Sequence, residues 1–183
     1  MLLVQFLARI PSFPSFSSLF SMFSKSSDDN KELKEILESW EYATCKGSEY
    51  YQGNDLESAI HYFERALICA QEGLKRDREN TTFMHYYALA SMNLAHVLAI
   101  YKKQPQSEKV LSDAHFNMLT YMIDVKQPKS FRQEAKQQAE VLLVSLKKFL
   151  INIGKRPVAE SLEDEFHRLT VNSQLGRLSR AGK

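Results

Sequence analysis

Apolar residues recur three and four apart over most of the chain, the spacing that lines one face of a helix. The first stripe runs through Leu33, Ile36, Leu37, Trp40 and Ala43 or Thr44, continues through Gly47, Tyr50 and Tyr51, and stops at the turn pair Gly53-Asn54. The second holds Leu56, Ala59, Ile60, Phe63, Ala66, Leu67 and Ala70. A third, restarted by Asn80-Thr81-Thr82, carries Phe83, Tyr86, Tyr87, Ala90, Leu94, Val97, Leu98 and Tyr101. Gln104-Pro105 breaks the pattern, because proline suits a first helical turn and resists an interior. The fourth stripe, Val110, Leu111, Ala114, Met118, Tyr121 and Met122, ends near Gln127-Pro128. A fifth (Ala135, Ala139, Leu142, Leu143, Leu146, Phe149, Leu150) stops at Gly154, and Pro157 opens a sixth with Val158, Leu162, Phe166 and Leu169. Asp29 with Glu32, Asn54 with Glu57 and Ser130 with Gln133 have the spacing of helix N-terminal caps. No stretch after residue 30 alternates with a period of two. The pattern predicts an all-α fold of about three antiparallel helix pairs.

Residues 1–27 differ from the rest. They hold five phenylalanines, eight serines, Pro11 and Pro14, and no acidic residue. Arg9 and both prolines interrupt the apolar run, which falls short of the ~20 residues of a spanning helix and lacks the form of a secretory signal. Three readings stay open for this segment: a flexible tail, residues upstream of a start at Met22, or an organelle-targeting or interfacial segment that touches a membrane through residues 1–23. The chain thus divides into residues 1–27, a helical domain at 28–170 and a basic tail at 171–183.

The 183 residues suit one main domain. Lysine and arginine total 24 against 22 acids, which leaves no electrostatic footprint for nucleic acid. The basic end, with Arg168, Arg177, Arg180 and Lys183, lacks an aromatic platform and reads as a tail. Two cysteines, Cys45 and Cys69, make no disulfide framework and fit a reducing, cytoplasmic setting.

Within the first helix pair, Gly47-x2-Tyr50 followed by Ala59-x3-Phe63 and Ala66 resembles the tetratricopeptide repeat, twelve residues separating Gly47 from Ala59. Small side chains at Gly47 and Ala59 let two helices approach, and Tyr50 and Phe63 fill the space toward the next pair. A second copy lies on Leu94-Ala95, Leu98, Ser107, Leu111 and Ala114, 48 residues on, which implies helices longer than the family's. The match departs where Lys46 replaces the family's leucine and Ala43 its tryptophan. A third copy, from about 130 to 170, has the helix pair without the signature.

The resemblance implies a right-handed superhelical array whose first helices line a concave groove for a peptide or partner helix. The family's groove positions fall on Glu41, Thr44, Ser48, Tyr51 and Gln52, and on Leu89, Met92, His96 and Ala99. Apolar contacts would hold the partner, and Gln52, Ser48 and Glu41 would orient it. Family members that grip a C-terminal carboxylate carry Lys and Asn where Thr44 and Ser48 stand here, which argues against a chaperone-tail receptor.

Chemistry is sparse. Glu163, Asp164 and His167 share a helix face, but the matching acid-x-x-His of a bundle metal site is missing. No phosphate loop, zinc motif or nucleophile elbow is present. The sequence therefore predicts a non-catalytic adaptor, assembly factor or chaperone-like module without cofactor or metal, acting on a protein partner or as a homodimer. A membrane-peripheral protein and a ligand-binding or enzymatic bundle are the alternatives.

Overall fold

A computed structural model describes residues 27–77 and 81–181, with side chains for 31–77 and 81–171. Among the described residues there are six helices: α1 (Ser27–Gln52), α2 (Leu56–Arg76), α3 (Thr82–Ile100), α4 (Gln104–Ile123), α5 (Lys129–Asn152) and α6 (Arg156–Ala181). The readings placed on residues 1–26 lie outside the described residues, as do the side chains of the basic end beyond residue 171.

Each helix packs on the next in chain order, and α3 also touches α5. Helices α1 and α3 meet through Trp40 and Tyr86, whose rings stack at 4.1 Å. Helices α3 and α5 meet where Ser145 Oγ donates to Met92 Sδ at 3.1 Å. The odd-numbered helices therefore adjoin one another. Helix α3, with α1, α2, α4 and α5 all against it, is the most buried: twelve of its nineteen residues are inside. That explains its weak amphipathic pattern, since a helix covered over most of its circumference has little polar face to display.

The expected close approach in the first pair is present. A β-carbon on Gly47 would lie 2.8 Å from the Phe63 ring, so only glycine admits that ring. Ala59 is fully buried. In the second pair, Ser107 Oγ donates 2.7 Å to the Ala95 carbonyl, so the two residues laid on the repeat do touch. Tyr50 behaves differently from its expected role. It is 36% exposed and stacks on Tyr62 of α2 at the edge of the first pair, away from the second.

The turns inside the pairs repeat in detail. Asn54 (φ 59), Lys102 (φ 61) and Gly154 (φ 80) all occupy the left-handed region. Each follows the last helical turn, and the next residue, Asp55, Lys103 or Lys155, donates its N–H to the carbonyl five residues back, on Tyr50, Leu98 or Leu150. Four residues further on, the buried Ala59, Ser107 and Ala159 open the second helix of each pair, bonded to the carbonyls of Asp55, Lys103 and Lys155. The third pair thus shares the turn of the first two, 52 residues after the second.

Three caps move. Asp55, not Asn54, caps α2 by accepting from Ser58 N at 3.1 Å, because Asn54 is already committed to the left-handed turn. Asp29 lies inside α1, which begins at Ser27. Helix α5 starts at Lys129 after Pro128, ahead of Ser130 and with no side-chain cap.

Candidate functional site

The residues assigned to a groove lie along α1 and α3. On α1, Glu41 and Ser48 are half-buried, Thr44 is buried at 9% exposure, Tyr51 is half-buried and Gln52 is exposed. Ser48 Oγ donates back to the Thr44 carbonyl, a local bond that helical serines commonly make. On α3, Leu89, Met92, His96 and Ala99 are all half-buried. Leu89 and Met92 pack partly into the core, Met92 against two of its clusters.

Two of these residues are joined across the helices. Tyr51 Oη and His96 Nε2 lie 3.0 Å apart, and the rings meet edge to face. Burial holds the His96 pKa below its ordinary value of 6.5, which favours the neutral ring. Burial also raises the Glu41 carboxyl above the usual carboxylate value, with the charge of Glu38 adding to it. Glu41 in turn helps burial push the Tyr86 phenol up.

Matching the three turns brings in residues outside the predicted set. Counting 52 residues on from Leu89, Met92, His96 and Ala99 leads to Val141, Val144, Lys148 and Ile151 on α5. These occupy one helix face, and the three aliphatic residues are 40%, 50% and 38% exposed. The same positions on α3 are half-covered by helices on both flanks. The signal lay in the turn rather than the signature: Gly154 stands four residues after Leu150, as Asn54 stands four after Tyr50 and Lys102 four after Leu98.

Elsewhere, Glu163 forms an ion pair with Lys147. Among the described residues no group of three or more His, Cys, Asp or Glu side chains is positioned to hold a metal. Cys45 and Cys69 are both free, and burial raises the Cys69 thiol, the opposite of an activated nucleophile. No described helix is long and apolar enough to cross a membrane.

A family model described as a protein of unknown function (DUF2753) matches residues 38–176. No curated protein and no solved structure matches the chain.

Proposed function

The chain belongs to the DUF2753 family, and we propose that it is a non-catalytic protein–protein interaction module built as a tetratricopeptide-like array of three long helix pairs. In this reading a partner peptide or helix lies across the face shared by α1, α3 and α5. The observation that carries it is the apolar face of α5, Val141, Val144 and Ile151, uncovered in register with Met92 and His96 on α3. The three exposed aliphatic residues share one face of α5, and Ser145 beside Val144 reaches the adaptable Met92 of α3.

Several features support the array. The three pairs share one turn geometry, the odd-numbered helices adjoin, and small residues sit where two helices cross. The distribution of perturbed titratable groups fits binding better than catalysis. His96 and Glu41 lie along the face, while His115 is sealed between α4 and α5, bonded to the Ala139 carbonyl. These groups do not converge on one cavity, as acid–base chemistry would need.

Affinity capture from the native source tests the reading. Wild type is compared with Val144→Asp, with Tyr51→Ala plus Met92→Ala, and with Phe116→Asp as a control on an exposed position of α4. Folded variants of the α1–α3–α5 face lose the captured partner at least about tenfold, whereas the control keeps it. Equal recovery by all of them overturns the reading.

A further inference from the structure

The first helix pair ends the array on a face with no helix of the described residues against it. An inner pair is covered on both sides: α3 has α1 and α2 before it and α4 and α5 after it. The outer side of α1 and α2 carries a belt of tyrosines instead. Tyr50 of α1 stacks on Tyr62 of α2 at 5.3 Å, and Tyr42 of α1 meets the same ring edge-on at 6.2 Å. The guanidinium of Arg65 lies 5.8 Å from the centre of the Tyr62 ring. Tyr42 is 52% exposed, and Ile68, three residues beyond Arg65 on α2, is 62% exposed. Beside the belt, Glu35, Glu38, Ser39, Tyr42 and Arg65 line an open pocket of about 320 Å³.

Two properties of this face point to one occupant. It is aromatic and partly apolar at the open end of a stack, where repeat arrays ordinarily end in a polar cap. It also carries both signs of charge within one pocket, the carboxylates of Glu35 and Glu38 together with the guanidinium of Arg65. A surface that holds both a charge and its complement can pair with itself about a twofold axis, residue for residue. Tyrosine and arginine are also enriched at protein interfaces, tyrosine because its rigid ring buries much area at little cost in side-chain freedom and arginine because its planar guanidinium makes several directed bonds.

We propose that this end face is where a second copy of the chain docks, so that Arg65 of each copy lies against Glu35 and Glu38 of the other and the two tyrosine belts interleave. The pairing joins two arrays end to end and leaves the α1–α3–α5 face open. It therefore stands or falls separately from the function proposed above.

Sedimentation velocity of the full chain over a range of concentrations tests this. Wild type dimerises. Arg65→Glu places like charges together in the dimer and weakens self-association at least about tenfold, as does the double variant Glu35→Lys plus Glu38→Lys. Mixed in equal amounts, the two variants regain a dimer. The carboxylate introduced on α2 of one copy then faces the lysines introduced on α1 of the other, and the Arg65 that remains faces the Glu35 and Glu38 that remain. Circular dichroism confirms that each variant is folded, and Tyr42→Ala provides a milder break that keeps every charge. A wild-type monomer at all concentrations overturns the proposal and leaves the face to residues 1–26 or to a different protein. A dimer indifferent to these substitutions overturns it as well, since the copies then meet elsewhere.

Discussion

Tyr51 on α1 and His96 on α3 are hydrogen-bonded at 3.0 Å, Oη to Nε2, across two helices 45 residues apart in sequence. Burial holds the His96 pKa down and so favours the neutral ring; in its Nδ1–H tautomer Nε2 accepts the phenol proton, which a protonated Nε2 has no lone pair to do. An NMR titration is expected to place the His96 midpoint below 6.5, and Tyr51→Phe to move it upward by removing the donor. At pH 7.5 that substitution costs about 0.5–1.5 kcal/mol, the usual worth of one such bond, and the cost shrinks below the midpoint. A midpoint at or above 6.5 contradicts this arrangement.

Gly73 on α2 faces Phe83 on α3 more tightly than Gly47 faces Phe63. A β-carbon at Gly73 would fall 2.2 Å from the Phe83 ring, against 2.8 Å at Gly47. Phe83 and Phe63 are 2% and 1% exposed, so neither ring has room to turn away. Alanine gains about 1 kcal/mol of helix propensity over glycine, but overpacking a tight core costs about 1–3 kcal/mol. Gly73→Ala is therefore destabilising by urea unfolding, and by more than Gly47→Ala. A stabilised Gly73→Ala variant would show that the two helices sit further apart.

The turn residue Lys102 adopts φ 61, a conformation that costs an L side chain roughly 1 kcal/mol and glycine almost nothing. Its counterpart in the third pair is already Gly154, at φ 80 with open space around it. Lys102→Gly is expected to raise stability by up to about 0.5 kcal/mol, net of the extra freedom glycine has when unfolded. Gly154→Ala should lower it by a similar amount. Thermal unfolding of the two variants checks the pair, and opposite signs are required.

The helices were legible because each buries a stripe of regular period, and the stripes end at residues that end helices. Gly47 with Ala59 and Ala95 with Ser107 were legible because small side chains twelve apart mark a crossing. The third pair lacked that mark: Lys147 stands where Gly47 and Ala95 stand, and its stem extends to pair with Glu163. What it shares with the first two is the backbone geometry at Gly154, which a side-chain signature does not record. The α5 face was missed for a related reason. Val141, Val144 and Ile151 fall off the buried stripe of Leu142, Leu146 and Leu150, and a helix with apolar residues on two faces gives no single direction to read. Tyr50 was misplaced because spacing fixes which helix turn a residue occupies, not which neighbour its ring meets.

His115 on α4 supplies a second, independent pH test. It is 3% exposed, its Nδ1 lies 2.9 Å from the Ala139 carbonyl of α5, and its buried Nε2 has no partner. A carbonyl only accepts, so Nδ1 carries a proton in either state, and burial of the unpartnered Nε2 favours the neutral ring. Burial lowers its pKa below 6.5, although the bond to Ala139 and the charge of Glu165 pull the other way. In the unfolded chain the ring takes up a proton near 6.5, and in the folded chain only at lower pH. The stability it contributes is thus present in full above 6.5 and is lost as pH falls through the folded pKa. The loss is at most about 1.4 kcal/mol per pH unit for this one proton. Replacing the ring with an apolar side chain, His115→Leu, removes that dependence. Thermal unfolding of the variant should therefore fall less steeply between pH 7.5 and 5 than that of wild type, with the two curves converging toward acid. Parallel curves would mean that His115 titrates alike in both states and is not sealed between α4 and α5.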